Sequence, residues 1–250
     1  MTNNNMYFIA NWKMFGKQSS INSINKVINL TKLKKYKKIR IVYCPPYTLL
    51  EGFVKKTKKT KISVGAQNCH HVSDYGPNTG FVNSKMIKDS GSKFVIIGHS
   101  EMRKEGDTDK KINMKIKSAI NSNLHIIFCI GEKLNDKKRK KTNLVLKRQI
   151  KNGLKKIKKY ENVIVAYEPV WSIGTGIIPK SSELTKNINF IRKVLKSKKI
   201  IKNIKILYGG SVNPGNVRDL SRIAGINGFI VGGSSINSKN FIDIIKKSIN

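Results

Sequence analysis

The chain of 250 residues is poor in cysteine, tryptophan, proline and, above all, acidic side chains. Cys44, Cys69 and Cys129 are an odd number without a CxxC pair, which predicts free thiols in a reducing compartment rather than a disulfide framework. No apolar stretch reaches membrane-spanning length, and the start MTNNNMYFIANWK turns polar too soon for a secretory signal. These absences predict a soluble, cytoplasmic protein without a membrane partner.

Acidic residues are so scarce that Lys and Arg outnumber Asp and Glu by 50 to 14, for a formal net charge of +36. Such a balance raises the question of a nucleic acid or an anionic membrane as partner. The lysine pairs, however, are spread along the sequence, at 34–35, 55–56, 110–111, 155–156, 198–199 and 246–247. Charge that is spread in this way is typical of a solvated surface, so no specific nucleic-acid partner is predicted.

Nucleotide-binding strings are also absent. The chain has neither a Walker A motif nor GxGxxG, which argues against a nucleotide or dinucleotide cofactor. Cys69, His70 and His71 are adjacent, but neighbouring residues rarely chelate one ion and no spaced fourth ligand follows. We therefore expect no cofactor and no metal.

What the sequence does contain is an alternation of short β-branched runs and longer amphipathic segments. The eight runs are YFIAN, IRIVYC, KISVGA, KFVIIG, LHIIFCIG, VIVAYE, IKILYGG and GFIVGG. Helical spacing of apolar residues between them is seen at Ile21, Ile24 and Ile28, at Leu146, Ile150, Leu154 and Ile157, at Leu184, Ile188, Ile191 and Leu195, and at Phe241, Ile244, Ile245 and Ile249. Buried strands that alternate with helices specify a parallel sheet, and eight units over ~250 residues match a closed (β/α)8 barrel. We predict an α/β protein with one barrel domain over residues 1–250.

The most informative single stretch is AYEPVWSIGTG, residues 166–176. Glu168 ends a buried apolar strand, where apolar walls raise the pKa of a carboxylate and a neighbouring loop can exclude water. Stiff residues in that loop alternate with Gly174 and Gly176, which predicts a moving lid. Glu168 would then be a base that takes a proton from carbon. The alternative is that Glu168 starts a helix and the glycines merely turn the chain.

All strands of a closed barrel end at one rim, so strand-end residues from distant parts of the sequence converge there. The first strand brings Asn11 and Lys13, at alternate positions and so on the same face, although Lys13 could also be one more surface lysine. The fourth strand brings His99. A helix that starts in GHSEMRKEG would disfavour the imidazolium form of His99, and a neutral imidazole can polarise a carbonyl.

The seventh and eighth strands end in glycine pairs. In YGGSV and IVGGSS, Ser211, Gly232 and Gly233 present backbone N–H groups where barrel enzymes bind phosphate. A base, a neutral electrophile, a cation and a phosphate site suit proton transfer beside a carbonyl. Glu168 would remove the proton, and His99 would donate to the enediolate oxygens.

The strings NWKM, GHSE, CIGE, AYEPVWSIGTG, YGGSV and GFIVGG occur in this order, and the whole chain resembles the triosephosphate isomerase family. The resemblance implies a TIM barrel that interconverts dihydroxyacetone phosphate and D-glyceraldehyde 3-phosphate without a cofactor, in glycolysis and gluconeogenesis. It implies that Glu168 is the base, His99 the electrophile, and Asn11 with Lys13 the substrate-binding pair. The remaining residues that it assigns are the phosphate contacts Gly174, Ser211, Gly232 and Gly233, the Lys13 partner Glu101, and the supporting residues Cys129 and Glu132 beneath the lid.

The resemblance also implies a homodimer in which the loop at residues 66–80, with Thr79 near its tip, inserts into the partner. The family usually carries an acid where Phe81 stands and an arginine where Met102 stands, and the two form an ion pair. Because both charged side chains are absent, neither is left buried without a partner. We expect an apolar contact between Phe81 and Met102 instead.

A further departure lies at the far hinge of the lid, at Ile177, Ile178 and Pro179, where the family usually has smaller or polar residues and no proline. Because proline fixes φ, Pro179 restricts rotation at this hinge, and we expect it to affect the rate at which the lid opens and closes.

Two other functions stay open on the sequence. A different phosphate-binding barrel isomerase could share the fold, because a fold alone does not assign a reaction. A basic nucleic-acid-binding protein would explain the charge but not the lid string or the paired glycines. Salt-resistant, sequence-dependent binding would favour it.

Overall fold

The eight apolar runs form strands in the computed structural model, which describes residues 6–197 and 204–249. The strands are β1 Tyr7–Asn11, β2 Arg40–Cys44, β3 Ile62–Ala66, β4 Phe94–Ile97, β5 His125–Ile130, β6 Val163–Tyr167, β7 Ile206–Tyr208 and β8 Gly228–Val231. Each is shorter than or equal to its predicted run, mainly because glycines and polar residues at the run ends belong to the adjoining turns.

Helices connect these strands throughout the described residues. They are α1 Asn25–Lys32, α2 Leu50–Thr57, α3 Ser84–Asp89, α4 Ser100–Lys104, α5 Asp109–Asn121, α6 Leu134–Lys138, α7 Thr142–Gly153, α8 Ser181–Lys196, α9 Val217–Ser221 and α10 Ser238–Ile249. Short 3₁₀ segments lie at Gln18–Ile24, Lys34–Tyr36, Tyr47–Leu49, Val170–Ser172 and Gly233–Ser235. No helix within residues 6–197 or 204–249 is both long and apolar enough to cross a membrane.

Every strand pairs in parallel with its neighbour in the sequence, and β8 pairs with β1, which closes the sheet. Tyr7 pairs with Gly228 at the closing seam. A methyl group on Gly228 would lie 2.0 Å from the carbonyl oxygen of Tyr7, and φ of Gly228 is +140°, so glycine is required where the barrel closes. The predicted closed eight-stranded parallel barrel is confirmed.

Buried side chains form two layers because alternate residues of a strand face opposite sides of the sheet. The interior of the barrel is filled by Ile9, Val42, Cys44, Phe94, Ile96, Ile127, Cys129, Ile164, Ala166, Leu207 and Ile230. The outer faces of the strands pack against the helices, with Phe8 and Ala10 among them. Asn11 follows the alternation of Ile9 and so continues the interior face at the carboxyl end of β1.

Two of the predicted sets of helically spaced apolar residues extend beyond the helices that the structure shows. In the first, Ile21 and Ile24 lie in a 3₁₀ segment, and α1 begins only at Asn25. In the second, α7 ends at Gly153, and Leu154 and Ile157 are buried beyond it. A left-handed residue, Lys156 with φ 57°, ends the regular spacing there. The apolar residues were assigned correctly to the core, but periodicity could not separate a helix from the turn that continues its buried face.

The connection between β3 and α3 runs over residues 67–83 rather than 66–80. Ala66 pairs with Val95 in the sheet, so it belongs to β3. At the other end, the side chain of Asn83 accepts a hydrogen bond from the N–H of Met86 at 2.9 Å and caps α3. Residues 74–81, which include Thr79, are exposed.

Candidate active site

A pocket of about 250 Å³ opens at the carboxyl ends of the strands. Its lining includes Asn11, Lys13, His99, Glu168, Gly174, Ser211, Gly232 and Gly233, which the sequence had singled out. The other lining residues are Ile173, Gly209, Gly210, Val212, Asn213, Ile230 and Ser234. The fold therefore brings together eight residues that are up to 222 positions apart in the sequence, from Asn11 to Gly233.

Glu168 directly follows β6, and its carboxylate is buried, with the residue 2% exposed. Oε1 lies 3.7 Å from Nε2 of His99, and Oε2 has no hydrogen-bond partner among the described residues. Burial raises the pKa of Glu168, an effect that His99, the Cys129 thiol and Lys13 only partly offset. A carboxylate with a raised pKa and an unpartnered oxygen at a pocket is suited to accept a proton.

His99 caps α4, and its Nδ1 accepts a hydrogen bond from the backbone N–H of Glu101 at 3.3 Å. Because a neutral imidazole accepts at one nitrogen and donates at the other, this contact fits a neutral ring with its proton on Nε2. The Glu101 carboxylate lies 3.6 Å from Nδ1, beyond hydrogen-bond distance. Nε2–H is thus directed toward the side of the pocket that Glu168 occupies, where it can donate to a ligand oxygen.

The sequence predicted that strand alternation places Lys13 on the same face as Asn11. That explanation is wrong, because β1 ends at Asn11, although Lys13 does line the pocket. Instead Lys13 is left-handed, with φ 52°, a conformation that costs a non-glycine residue about 1–3 kcal/mol. The side-chain amide of Gln67 holds it there by donating to the carbonyls of Lys13 and Cys44, both at 2.8 Å. The ammonium group then meets the carboxylate of Glu101 at 2.7 Å. Partial burial acts to raise the pKa of Glu101, but the hydrogen bond from Lys13 and the neighbouring His99 and Lys13 charges outweigh it, and the pKa is lowered.

The glycine-rich loops after β7 and β8 form another part of the pocket wall. In the 3₁₀ segment Gly233–Ser235, the N–H groups of Ser235 and Ile236 bond to carbonyls of the same turn. The N–H groups of Gly233 and Ser234 come first in this turn and therefore have no acceptor within it. A ligand anion can accept hydrogen bonds from them. The N–H of Ser211 donates to Oγ of Ser172 at 3.3 Å, so this donor is engaged with the lid.

The lid, residues 169–179, is attached to the body of the barrel through Trp171. The indole N–H donates to Oε1 of buried Glu132 at 2.9 Å, and the hydroxyl of Tyr167 donates to the same carboxylate at 3.2 Å. Asn187 donates to Tyr167 at 2.8 Å, and the Lys137 ammonium lies 3.6 Å from the Trp171 ring centroid. Burial raises the pKa of Glu132, while the bonds from Trp171 and Tyr167 act against that rise.

The tip of the lid is exposed and uses its glycines in the left-handed region. Gly174 and Gly176 have φ of +72° and +77°. At the far hinge Pro179 is buried, while Ile177 and Ile178 are exposed. The hydroxyl of Ser172 donates to the carbonyl of Ile177 at 2.5 Å, so one short bond ties the two ends of the lid together.

A guanidinium group joins the ends of β4 and β5 beneath the pocket. Arg103 donates through Nε to the carbonyl of Gly98 at 2.8 Å and through a terminal nitrogen to the carbonyl of Cys129 at 3.2 Å. Asp109 holds the other terminal nitrogen at 2.8 Å. Gly98 precedes His99, and the Cys129 thiol lies close enough to Glu168 to act against the rise in its pKa. Arg103 thus fixes the backbone that carries His99 relative to the strand that supports Glu168.

Phe81 and Met102, the departures from the family pattern, both line a surface pocket of about 180 Å³. The two side chains contact different residues. The ring of Phe81 lies 4.7 Å from that of His70, and the sulfur of Met102 accepts a hydrogen bond from Asn68 at 3.1 Å. The direct contact expected between Phe81 and Met102 stays a prediction.

Sequence reasoning missed Gln67, Gly209 and Arg103. Gln67 follows β3 at the active rim, and so the strand-end rule could have found it. Gly209 belongs to YGGSV, but its contact with Glu168 becomes visible only in three dimensions. Arg103 carried no signal, because one more cation is unremarkable among 50. Among residues 6–197 and 204–249, no group of three or more His, Cys, Asp or Glu could hold a metal ion.

A closed parallel barrel whose acid, imidazole and cation meet at the carboxyl ends of its strands belongs to the class of barrel enzymes. The family model for triosephosphate isomerase matches residues 6–248. A triosephosphate isomerase of Dictyoglomus thermophilum is 40% identical over 244 residues, covering 95% of this chain and 97% of the relative. One of Clostridium botulinum is 38% identical over 242 residues, covering 94% and 96%. The crystal structure of triosephosphate isomerase from Bartonella henselae superposes with a TM-score of 0.90 at 32% identity, covering 98% and 99% of the two chains.

The chain belongs to the triosephosphate isomerase family, and it is an isomerase. The resemblance drawn from the six motifs is thereby confirmed.

Proposed function

We propose that the chain interconverts dihydroxyacetone phosphate and D-glyceraldehyde 3-phosphate, with Glu168 as the base and neutral His99 as the electrophile. The observation that carries this proposal is the pair formed by the Glu168 carboxylate and His99 Nε2, 3.7 Å apart at one wall of the pocket. Family membership supports the substrate, and the geometry supports the roles of the two side chains.

In the forward direction, Glu168 takes a proton from the hydroxymethyl carbon of dihydroxyacetone phosphate. The electrons of that C–H bond form the carbon–carbon double bond of an enediolate, and the carbonyl oxygen gains negative charge. His99 donates Nε2–H to the enediolate oxygens, and the Lys13 ammonium, beside Asn11, stabilises the charge. The imidazole of His99 passes its Nε2 proton to the former carbonyl oxygen and takes up the proton of the C1 hydroxyl, and Glu168 returns its proton to the former carbonyl carbon, which gives the aldose. No electrons leave the substrate.

The phosphate group would lie on the glycine-rich part of the pocket wall, on backbone N–H groups of Gly174, Ser211, Gly232 and Gly233. Ser211 N–H bonds to Ser172 of the lid, so a phosphate must replace that partner as the lid moves. Cys129 and Glu132 support the site from below, the first through Glu168 and the second through Trp171. A closed lid would keep the enediolate away from water.

We also propose a single domain over residues 1–250, a cytoplasmic location, and a homodimer that forms through the loop at residues 66–80. Support for the dimer comes from large apolar side chains that the monomer leaves exposed: Met14, Phe15, Tyr75 and Phe81. Met14 and Phe15 directly follow Lys13, so a partner that covers them would also hold Lys13 in place. Tyr75 and Phe81 line the same surface pocket, and exposed apolar side chains that lie together are typical of an interaction surface.

Isomerisation of D-glyceraldehyde 3-phosphate in a coupled assay tests the reaction and the base together. Glu168→Gln keeps the shape of the side chain but cannot accept the proton, and we expect kcat to fall by about 10²–10⁴-fold or more. Exposed Glu161 provides the control, Glu161→Gln, which should keep full activity. A folded, dimeric and inactive parent protein would reject the proposed reaction, and an active Glu168→Gln would reject the proposed base.

A further inference from the structure

Seven exposed cations lie on two neighbouring connections at one end of the barrel. Because the strands are parallel, every helix runs back toward their amino-terminal ends, so helix ends and the connections into the next strand lie away from the pocket. The connections into β2 and β3 carry the exposed residues Lys34, Lys37, Lys38, Arg40, Lys58, Lys59 and Lys61, here called the basic end. The lysine pair at 198–199 lies outside the described residues.

The two halves of the basic end are side by side. Ile41 of β2 pairs with Ile62 of β3, so Arg40 and Lys61, the residues just before this pair, lie on neighbouring chains whose backbones are about 5 Å apart. Residues 1–73 contain a single carboxylate, Glu51, and it bonds to Lys55 at 2.8 Å. The basic end therefore joins in space two runs of cations that are separate in the sequence.

Helix dipoles account for only part of this charge, because Lys58 caps the carboxyl end of α2 but other members lie farther from the α-helices. A cation at the carboxyl end of a helix is favourable only within about the last turn. Lys37, Lys38 and Arg40 lie at least five residues past Lys32, where α1 ends, and Lys61 lies four residues past the end of α2. Like charges this close repel one another in the free protein. A surface of this kind is complementary to a polyanion.

A groove of about 970 Å³ between α2 and α3 adjoins the basic end. Lys55, Lys58 and Lys93 line it together with the hydroxyl groups of Thr60 and Ser90, as do the carboxylates of Glu51 and Asp89. A polymer strand can follow a concave surface that carries lysines, whereas a flat bilayer cannot enter it.

An anionic membrane is disfavoured for a second reason. Stable membrane association needs an apolar anchor in addition to a polybasic surface. Within residues 32–40 and 55–61, all of them described, Leu33 is the one large apolar side chain that is exposed, at 55%. One leucine is a weak anchor.

We propose that the basic end binds the phosphodiester backbone of a nucleic acid without regard to base sequence. Lysine contacts phosphate as a point charge, and six of the seven cations are lysines, with one arginine available for bidentate contacts to base edges. Binding is expected in the non-specific range, with Kd about 10⁻⁴–10⁻⁶ M at physiological salt. Because the pocket is at the other end of the strands, the enzyme remains active while bound.

The test is the fluorescence anisotropy of a labelled oligouridine of about 20 nucleotides, and of a duplex of similar length, titrated with the full chain from about 25 to about 200 mM KCl. The patch variant is K34Q/K38Q/K58Q/K61Q. A control of equal charge, K110Q/K141Q/K147Q/K239Q, changes exposed lysines on α5, α7 and α10 and next to α7, outside the basic end. Isomerase activity and circular dichroism report whether each variant is folded.

The patch variant should bind more weakly, and its plot of log K against log [KCl] should be shallower by roughly 0.7 per lost phosphate contact on the single strand. The control should retain most of the affinity and slope of the parent. Equal loss in both variants would mean diffuse attraction by net charge and would overturn the proposal, as would no binding at the lowest salt. Tighter, patch-dependent binding to phosphatidylserine vesicles would assign the surface to a membrane instead. Competition between oligouridine and the triose phosphate would place the nucleic acid in the active site, and would also overturn it.

Discussion

Gly209 lies directly against the side chain of Glu168. A methyl group on Gly209 would stand 2.7 Å from Cγ of Glu168 and 2.3 Å from Cγ2 of Ile230. Ile230 belongs to the packed interior of the barrel, so the movable neighbour is the carboxylate. The absence of a side chain at position 209 therefore helps to set where the proposed base stands.

Gly209→Ala should lower kcat by about 10²-fold, since a displacement near 1 Å at a reacting group has an effect of that size. Steady-state kinetics measure it. The control is Gly76→Ala in an exposed loop, where the nearest atom to the new methyl group is the Asn78 side-chain nitrogen, at 3.8 Å. Similar activity in the two alanine variants would show that Gly209 does not position Glu168.

Glu168→Gln should raise thermal stability near neutral pH. Burial raises the pKa of Glu168 above its unfolded value, so this carboxyl stabilises the fold at low pH, and that contribution is lost as pH rises through the raised pKa. Glutamine has no such pH dependence. The melting temperature of the variant should therefore exceed that of the parent at pH ~7–8, and the gap should shrink below the ordinary glutamate pKa of about 4.3. Exposed Glu161→Gln should show no comparable gap. A gap that widens on acidification would contradict the assignment.

Arg103→Lys should reduce kcat while KM changes little. Lysine keeps the charge but cannot reproduce the fork that reaches the carbonyls of Gly98 and Cys129. His99 and Glu168 would lose their fixed separation, whereas the phosphate wall would remain. We expect a fall in kcat of roughly 10–10²-fold by the same positional argument. Kinetics over a pH series would show whether the ionisation of the base also shifts.

Arg148→Lys is the matched control for Arg103→Lys. Arg148 approaches the same carboxylate, Asp109, at 3.4 Å and is exposed. Loss of its contact should leave kcat close to that of the parent, because exposed ion pairs contribute little. Equal effects of the two substitutions would assign the result to Asp109 and general stability rather than to positioning.

Phe81→Asp should weaken the proposed homodimer. Phe81 is 62% exposed beside the loop that is expected to enter the partner, and a charge buried at an interface without a partner is costly. Light scattering coupled to size exclusion, over a dilution series, measures the dissociation. Leu144→Asp changes a comparably exposed apolar residue on α7 and should leave the oligomeric state unchanged. A double-mutant cycle of Phe81→Ala and Met102→Ala, read on dimer affinity, tests whether these two side chains are coupled.

The pattern of apolar residues along the sequence predicted much of the architecture. The apolar runs became strands because a parallel sheet buried on both faces admits few polar residues. Periodicity failed at Leu154 and Ile157, which are buried in a turn that periodicity alone cannot distinguish from a helix. Residues at strand ends were found because the closed barrel gathers those ends at one rim. Arg103 and Gly209 were not found in this way, because their proposed positioning roles come from contacts with residues distant in the sequence.

The sequence by itself determined the order of strands and helices and the family, because these depend on local periodicity and on strings of neighbouring residues. Tertiary structure decided three other things. Gln67 holds Lys13 in a left-handed conformation that no local preference would give it. His99 and Glu168 face each other at 3.7 Å from strands 69 positions apart. Seven cations from two runs of the sequence meet at one end because the connections into β2 and β3 return to the same face. Each of these depends on the pairing of parallel strands in one sheet, which converts separation in sequence into contact in space.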